Sequence, residues 1–154
     1  MNGDGPFSPE RSGSLPVGDF AALCFSGTVT YDEVKKMIKG QGGVKAYLGT
    51  NDLRIVEKNI ADGDKKAELI LRALAYQVSK EIGGAATVLK GQVDGIVLTG
   101  GIVYDKNFVE MIKENTSFIA TVYAFPGEME MQALAFGGLR VLKGIEQAKE
   151  YNPS

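Results

Sequence analysis

Three short stretches combine residue types and spacings that can do chemistry. Leu98-Thr99-Gly100-Gly101-Ile102 ends an apolar run in two glycines just ahead of a helical pattern. Such a turn exposes backbone amides at a helix N-terminus and lets a flat or anionic ligand approach the backbone closely. It is neither GxGxxG nor GxxxxGK[ST], so the two commonest nucleotide signatures are absent, and a plain strand-to-helix connection fits it as well. Ser8-Pro9-Glu10-Arg11-Ser12-Gly13 frames Arg11 with two rigid residues' worth of turn and a glycine. Its guanidinium can fork onto a carboxylate or phosphate, or simply pair with Glu10 on a solvated loop. Pro126-Gly127-Glu128-Met129-Glu130 opens the last helical pattern. Glu128 there complements the helix dipole, and it can also ligate Mg²⁺ directly or through water.

What is missing narrows the chemistry further. The 154 residues contain no histidine and one cysteine. No Ser-His-Asp or Cys-His nucleophile can be assembled, no intrachain disulfide can form, and any resident metal needs oxygen ligands such as suit Mg²⁺, Ca²⁺ or Mn²⁺. A net charge of −2 gives no basic footprint for nucleic acid. No apolar run approaches the length of a membrane span, and Met1 opens no secretory pattern, so a cytoplasmic protein without a membrane or nucleic-acid partner is expected.

The elements that must position these residues follow from periodicity and punctuation. Residues 1–18 are too dense in glycine and proline for a helix or central strand, yet Phe7, Arg11 and Leu15 suit a loop inside a larger structure. A short helix is expected over Asp19–Phe25, with Phe20, Leu23 and Cys24 on its packed side. Thr30 and Glu33 form a capping box, and Gly40 ends the helix that follows. Val44–Leu48 reads as a short strand, and Asn51–Ile60 as a helix capped by Thr50 or Asn51. Three- and four-residue apolar steps predict a long helix over Asp64–Leu89. Gly83-Gly84 within it signals a close crossing or a break. Val93–Leu98 and Phe118–Tyr123 read as strands around a helix near Lys106–Glu114, a βαβ unit. A last helix is expected over Glu128–Ile145, turning Met131, Leu134, Ala135, Leu139 and Leu142 inward, with 150–154 frayed. The class is α/β: a small, partly parallel sheet with flanking helices.

Taken together, several stretches resemble the acetate and butyrate kinase family, its butyrate kinases in particular. They are Gly5–Gly13, Leu23–Gly27, Ala46–Asp52, Asp94–Gly101 and Tyr123–Glu128. Gly5-Pro6-Phe7-Ser8-Pro9-Glu10-Arg11-Ser12-Gly13 is the specific part, while the Thr-Gly-Gly turn is shared with actin and the sugar kinases. The resemblance implies a ribonuclease-H-like domain of the actin-like ATPase type. It also implies that residues 1–154 make up only the C-terminal, nucleotide-binding domain of a two-domain kinase. The first phosphate hairpin, a second glycine-rich loop and the histidine of the acetate kinases would lie on the N-terminal domain, a required partner, so this chain alone is expected to be inactive.

The implied reaction is reversible phosphoryl transfer between ATP and butyrate, giving ADP and butyryl phosphate, with Mg²⁺. By resemblance Arg11 contacts the phosphoryl or carboxylate group, Thr99, Gly100, Gly101 and Ile102 receive adenosine, and Glu128 serves Mg²⁺. The relatives carry two adjacent glutamates at the last position, whereas Met129 intervenes here before Glu130. Acetate or propionate as substrate, or a non-catalytic nucleotide-binding or dimerisation module using the apolar helices 64–89 and 128–145, are the alternatives. A homo-oligomer is expected.

Overall fold

The computed structural model describes residues 3–150. Seven helices and two strands follow one another as α1 (Val17–Phe25), α2 (Tyr31–Ile38), α3 (Gly43–Leu48), α4 (Leu53–Ala61), α5 (Lys65–Val88), β1 (Ile96–Gly100), a 3₁₀ turn (Gly101–Tyr104), α6 (Lys106–Thr116), β2 (Val122–Pro126) and α7 (Glu130–Leu142). The strands are parallel, with Ile96 opposite Val122 and Gly100 opposite Pro126. The crossover through α6 is the expected βαβ unit, and the α/β class holds, with two strands among the described residues.

The core lies between α5 and the elements laid across it. Val44 of α3, Val56 of α4, Ala67, Ile70, Leu71, Leu74 and Ala75 of α5, and Phe108 and Ile112 of α6 form one buried cluster, joined by Phe7 from the N-terminal loop. Burial of large aliphatic side chains at three- and four-residue steps makes α5 the spine of the molecule. Asp64 accepts from the Lys66 and Ala67 amides at its start. Ser79 and Thr116, both buried, satisfy their hydroxyls on the Ala75 and Ile112 carbonyls one turn back.

Local signals translate faithfully where they involve only neighbours. The Thr30 hydroxyl accepts from the Glu33 amide, and the Glu33 carboxylate accepts from the Thr30 amide at 2.7 Å. That backbone donor, with the Thr30 hydroxyl, holds the Glu33 carboxyl below its usual value.

Several expectations are corrected. Val44–Leu48 is helix, not strand: the Val44 and Lys45 amides donate to the Ser8 and Pro9 carbonyls, and no strand runs alongside to pair with. The cap of α4 is Asp52, which accepts from the Arg54 amide, so the helix starts two residues later than expected. Both strands sit further along the chain. α6 continues to Thr116, pushing β2 to Val122, and Phe118 is solvent-exposed in the turn between them. Gly83 and Gly84 neither break α5 nor admit a neighbour, since a Cβ at either meets nothing within 4 Å. Cys24 is exposed, and α1 buries none of its residues. α7 spans 130–142, and Met131, Leu134, Ala135, Leu139 and Leu142 all face solvent. Of the expected frayed end, residues 151–154 lie outside the described residues.

Candidate nucleotide and phosphoryl site

The glycine turn is built by the ends of the two strands. Parallel strands bring their carboxyl ends to the same edge, where open α/β sheets take ligands. Beyond Gly100 and Pro126 the ladder closes in a reciprocal bridge. The Gly100 amide donates to the Gly127 carbonyl at 3.2 Å, and the Gly127 amide returns to Gly100 at 3.1 Å. Thr99 Oγ1 adds a longer contact to the Gly127 carbonyl, 3.4 Å. Gly100 has φ +97°, a conformation L side chains rarely adopt, so its glycine is a backbone requirement. Gly101 is different. Its φ is ordinary, and a Cβ there would point into open space.

The helix expected near Lys106 begins there, capped by Asp105 through the Phe108 amide at 3.0 Å, and a 3₁₀ turn fills the space between it and the two glycines, whose amides were expected at its N-terminus. The backbone offered to a ligand at 99–102 therefore belongs to a tight turn, not to α6.

The bridge carries Glu128 to the same edge, because it follows Gly127 directly. Glu128 is exposed and lies just ahead of α7, not within its first turn. Among the described residues no three Asp, Glu or Cys side chains converge on a point. The donor set fits Mg²⁺ only in the manner typical of that ion with nucleotides, one carboxylate beside phosphate oxygens and water.

The loop bearing Arg11 is fixed by backbone contacts. The Ser8 amide donates to the Arg11 carbonyl, and the Arg11 amide to Ser8 Oγ, each at 3.1 Å. Glu10, Ser8 and Pro9 carbonyls receive the Gly40, Gly42, Val44 and Lys45 amides, while the Ser12 amide donates to Ile38. The Glu10 carboxylate accepts from Asn51 Nδ2 at 3.2 Å, leaving Arg11 without the expected Glu10 pairing. Arg11 is exposed and takes no part in the ion pairs found among the described residues.

The loop and the glycine turn meet at one cavity of about 480 Å³. Phe7, Ser8 and Pro9 line one side, Thr99 and Ile102 another, and Val78 of α5 the floor. Its walls are mainly apolar. The structure thus brings Thr99, Gly100, Gly101, Ile102 and Glu128 to one edge; of these Thr99 and Ile102 line the cavity, and of the facing loop Phe7, Ser8 and Pro9 line it but Arg11 does not.

Two carboxylates at this edge escaped the sequence reading. Asp105 caps α6 and is buried, and the Glu57 carboxyl of α4 lies against it. Asp105 was recognisable as a cap residue ahead of Lys106. Its meeting with Glu57, far away in sequence, was not.

The model of the acetokinase family matches residues 5–136. Butyrate kinase 1 of Clostridium acetobutylicum is 54% identical over 151 residues, which take in 98% of this chain and 42% of that protein. The chain therefore spans less than half the length of this curated relative. Porphyromonas gingivalis acetate kinase superposes with a TM-score of 0.79 at 22% identity, covering 90% of this chain and 41% of that one. A propionate kinase from Francisella tularensis subsp. tularensis SCHU S4 gives 0.68 at 23% identity, over 79% and 38%. At these identities the structures speak for the fold, that of the acetate kinases with their actin-like ATPase architecture.

Proposed function

The chain belongs to the acetokinase family, and from that premise we propose that it is the nucleotide-binding part of a short-chain fatty acid kinase that transfers phosphoryl groups between ATP and butyrate. The observation that carries this reading is the bridged glycine turn at the carboxyl ends of β1 and β2, set against the Arg11 loop across one cavity. Adenosine packs against Thr99, Gly100, Gly101 and Ile102, where backbone lies open to a flat ligand. Arg11, exposed and without an ion-pair partner among the described residues, neutralises the transferring phosphoryl group or orients the carboxylate, the positive charge such a transfer demands. Glu128 reaches Mg²⁺ through water. Bound Mg²⁺ screens the phosphate oxygens.

The likeness to butyrate kinase 1 of Clostridium acetobutylicum supports butyrate over acetate or propionate, and a profile of turnover against acid chain length separates them. The partner in this reading is the remaining length of a protein like that relative, which supplies the second wall of the cleft. Self-association and a cytoplasmic location belong to the same proposal. No helix among the described residues is long and apolar enough to cross a membrane.

Gly101→Val is the discriminating test, because the fold has room for the new side chain while a ligand lying on the turn does not. Calorimetric titration with Mg·ADP should show at least tenfold weaker binding at an unchanged Tm. Equal affinity in the variant removes the nucleotide from this turn. A second reading, a self-associating module that does not bind nucleotide, draws on the exposed apolar face of α7. Dimer formation with no heat on adding Mg·ADP would favour it.

A further inference from the structure

Asp105 sits at the junction between the 3₁₀ turn and α6 and is tied into both. Its amide donates to the Ile102 carbonyl, its own carbonyl receives the Val109 amide, and its Oδ1 accepts from the Phe108 amide. The residue is only 7% exposed. Oδ2, however, is shielded from water and receives no hydrogen bond from the groups that normally donate, which is an unfavourable state for a carboxylate oxygen. The side chain that faces it is the carboxyl of Glu57, on α4. When both groups are ionised they are two acceptors with nothing between them. A proton on Glu57 turns that conflict into a hydrogen bond.

We propose that Glu57 and Asp105 form a proton-sharing pair in which Glu57 donates to Asp105 Oδ2, tying α4 to the start of α6 and thereby positioning the glycine turn that precedes it. The other charged groups around Glu57 are Glu68 and Arg72 of α5 and Glu110 and Glu114 of α6. Glu68 and Glu110 are engaged by Lys65 and Lys113. Of the charged groups, Asp105 is the one set directly against the Glu57 carboxyl. Burial first, then the hydrogen bond and charge of Asp105, push the Glu57 carboxyl above its ordinary 4.5. Because the folded value is raised, the pair's contribution is complete below the unfolded value and is lost as pH rises through the folded one. Glu57 and Asp105 are positioning residues. They touch no ligand in this scheme, but they set how firmly residues 101–105 are held.

The test needs no nucleotide, so it stands or falls apart from the function proposed above. The Glu57 carboxyl carbon is titrated by NMR, and amide exchange at Asp105, Phe108 and Val109 is followed across the same pH range in wild type, Glu57→Gln and Asp105→Asn. Glutamine donates to Oδ2 at every pH, and asparagine at 105 keeps the cap while removing the charge. The wild-type midpoint should lie above 4.5 and be lower in Asp105→Asn, which keeps the burial but removes the Asp105 charge. The ratio of protection in Glu57→Gln to that in wild type, taken at equal pH, should be near one below the midpoint and several-fold above it. An ordinary midpoint in wild type overturns the pair. A ratio that is flat with pH overturns its hold on the turn. Should Glu57→Gln fail to fold, Asp105→Asn against wild type gives the same comparison.

Discussion

Arg11 owes its place to the backbone around it, and among the described residues its side chain has no ion-pair or hydrogen-bond partner. The Ser8–Arg11 hairpin bonds fix the loop, and Asn51 removes Glu10 from competition for the guanidinium. A charge kept free in this way costs nothing to redirect towards a ligand. Arg11→Ala should therefore leave Tm unchanged while lowering turnover of a catalytically competent form by about 10²–10³-fold, the usual loss on removing a transition-state charge stabiliser. Turnover within threefold of wild type would end the proposed role. Asp52 is the contrasting case, a carboxylate committed to structure. The Arg54 guanidinium grips it at 2.9 and 2.6 Å, and the Arg54 amide adds a third donor, bringing its pKa from 3.8 to about 2. A depressed folded value means stabilisation that is present above 3.8 and lost as pH falls towards 2. Thermal melts between pH 5 and pH 2 should show wild type losing its margin over Asp52→Asn in that window, and parallel curves would refute it. The sequence disclosed Arg11, the glycine turn and Glu128 as separate features, since each is local. That Glu10 is diverted by Asn51, or that Glu57 meets Asp105, depends on contacts made only when α4 docks, and no spacing in the chain announces them.

At the scale of elements, glycines in this chain do opposite things. Gly43 stands at the start of α3 with φ +59°, and a Cβ there would run into the Ser8 and Arg11 carbonyl oxygens. Gly43→Ala must both strain the backbone and push the Arg11 loop away. A loss of at least ~2 kcal/mol follows, read as a drop in denaturation midpoint, together with weaker ADP binding. Gly84 lies inside α5 with open space where its Cβ would be. Gly84→Ala should stabilise the helix by about 0.5–1 kcal/mol, raising Tm by roughly 1–4 °C. A fall in Tm would mean that this face is covered closely in solution. Removing the α5 cap with Asp64→Ala should cost about 1 kcal/mol by the same measure. The long period of α5 and the Thr30–Glu33 box were legible because a helix advertises itself through its own neighbours. Val44–Leu48 was not, because a short apolar run suits strand and helix alike and the deciding partners, the Ser8 and Pro9 carbonyls, come from the distant N-terminal loop. The second strand starts four residues later than expected for a related reason. α6 keeps winding as long as Ile112 and Thr116 find the core, and only then can β2 begin.

For the molecule as a whole, the distribution of apolar surface decides what the chain can do alone. The core is concentrated on α3 to α6, while α1 and α7 bury nothing. Val97 of β1 and Phe125 of β2 are 62% and 61% exposed, and Met131 and Leu134 of α7 are 81% and 71% exposed. Among the described residues, a two-stranded parallel sheet with open edges together with a bare apolar helix is unusual for a self-sufficient domain, because parallel strands are ordinarily covered on both faces. The chain also spans less than half of the relative it matches at 54% identity. The candidate site has the same one-sided character: the glycine turn and Glu128 share a single edge, with the Arg11 loop against the cavity beside it. Phosphoryl transfer needs donors around all the equatorial oxygens and exclusion of water. The 154 residues by themselves should therefore bind Mg·ADP weakly and show no butyryl phosphate formation from ATP and butyrate. Adding the preceding portion of a butyrate kinase relative, in trans or by fusion, should restore turnover and quench the fluorescence of an apolar dye bound to the chain. Turnover by the chain alone would show that the open faces are filled by a second copy, and sedimentation of the active species would then report a mass at least twice that of the chain.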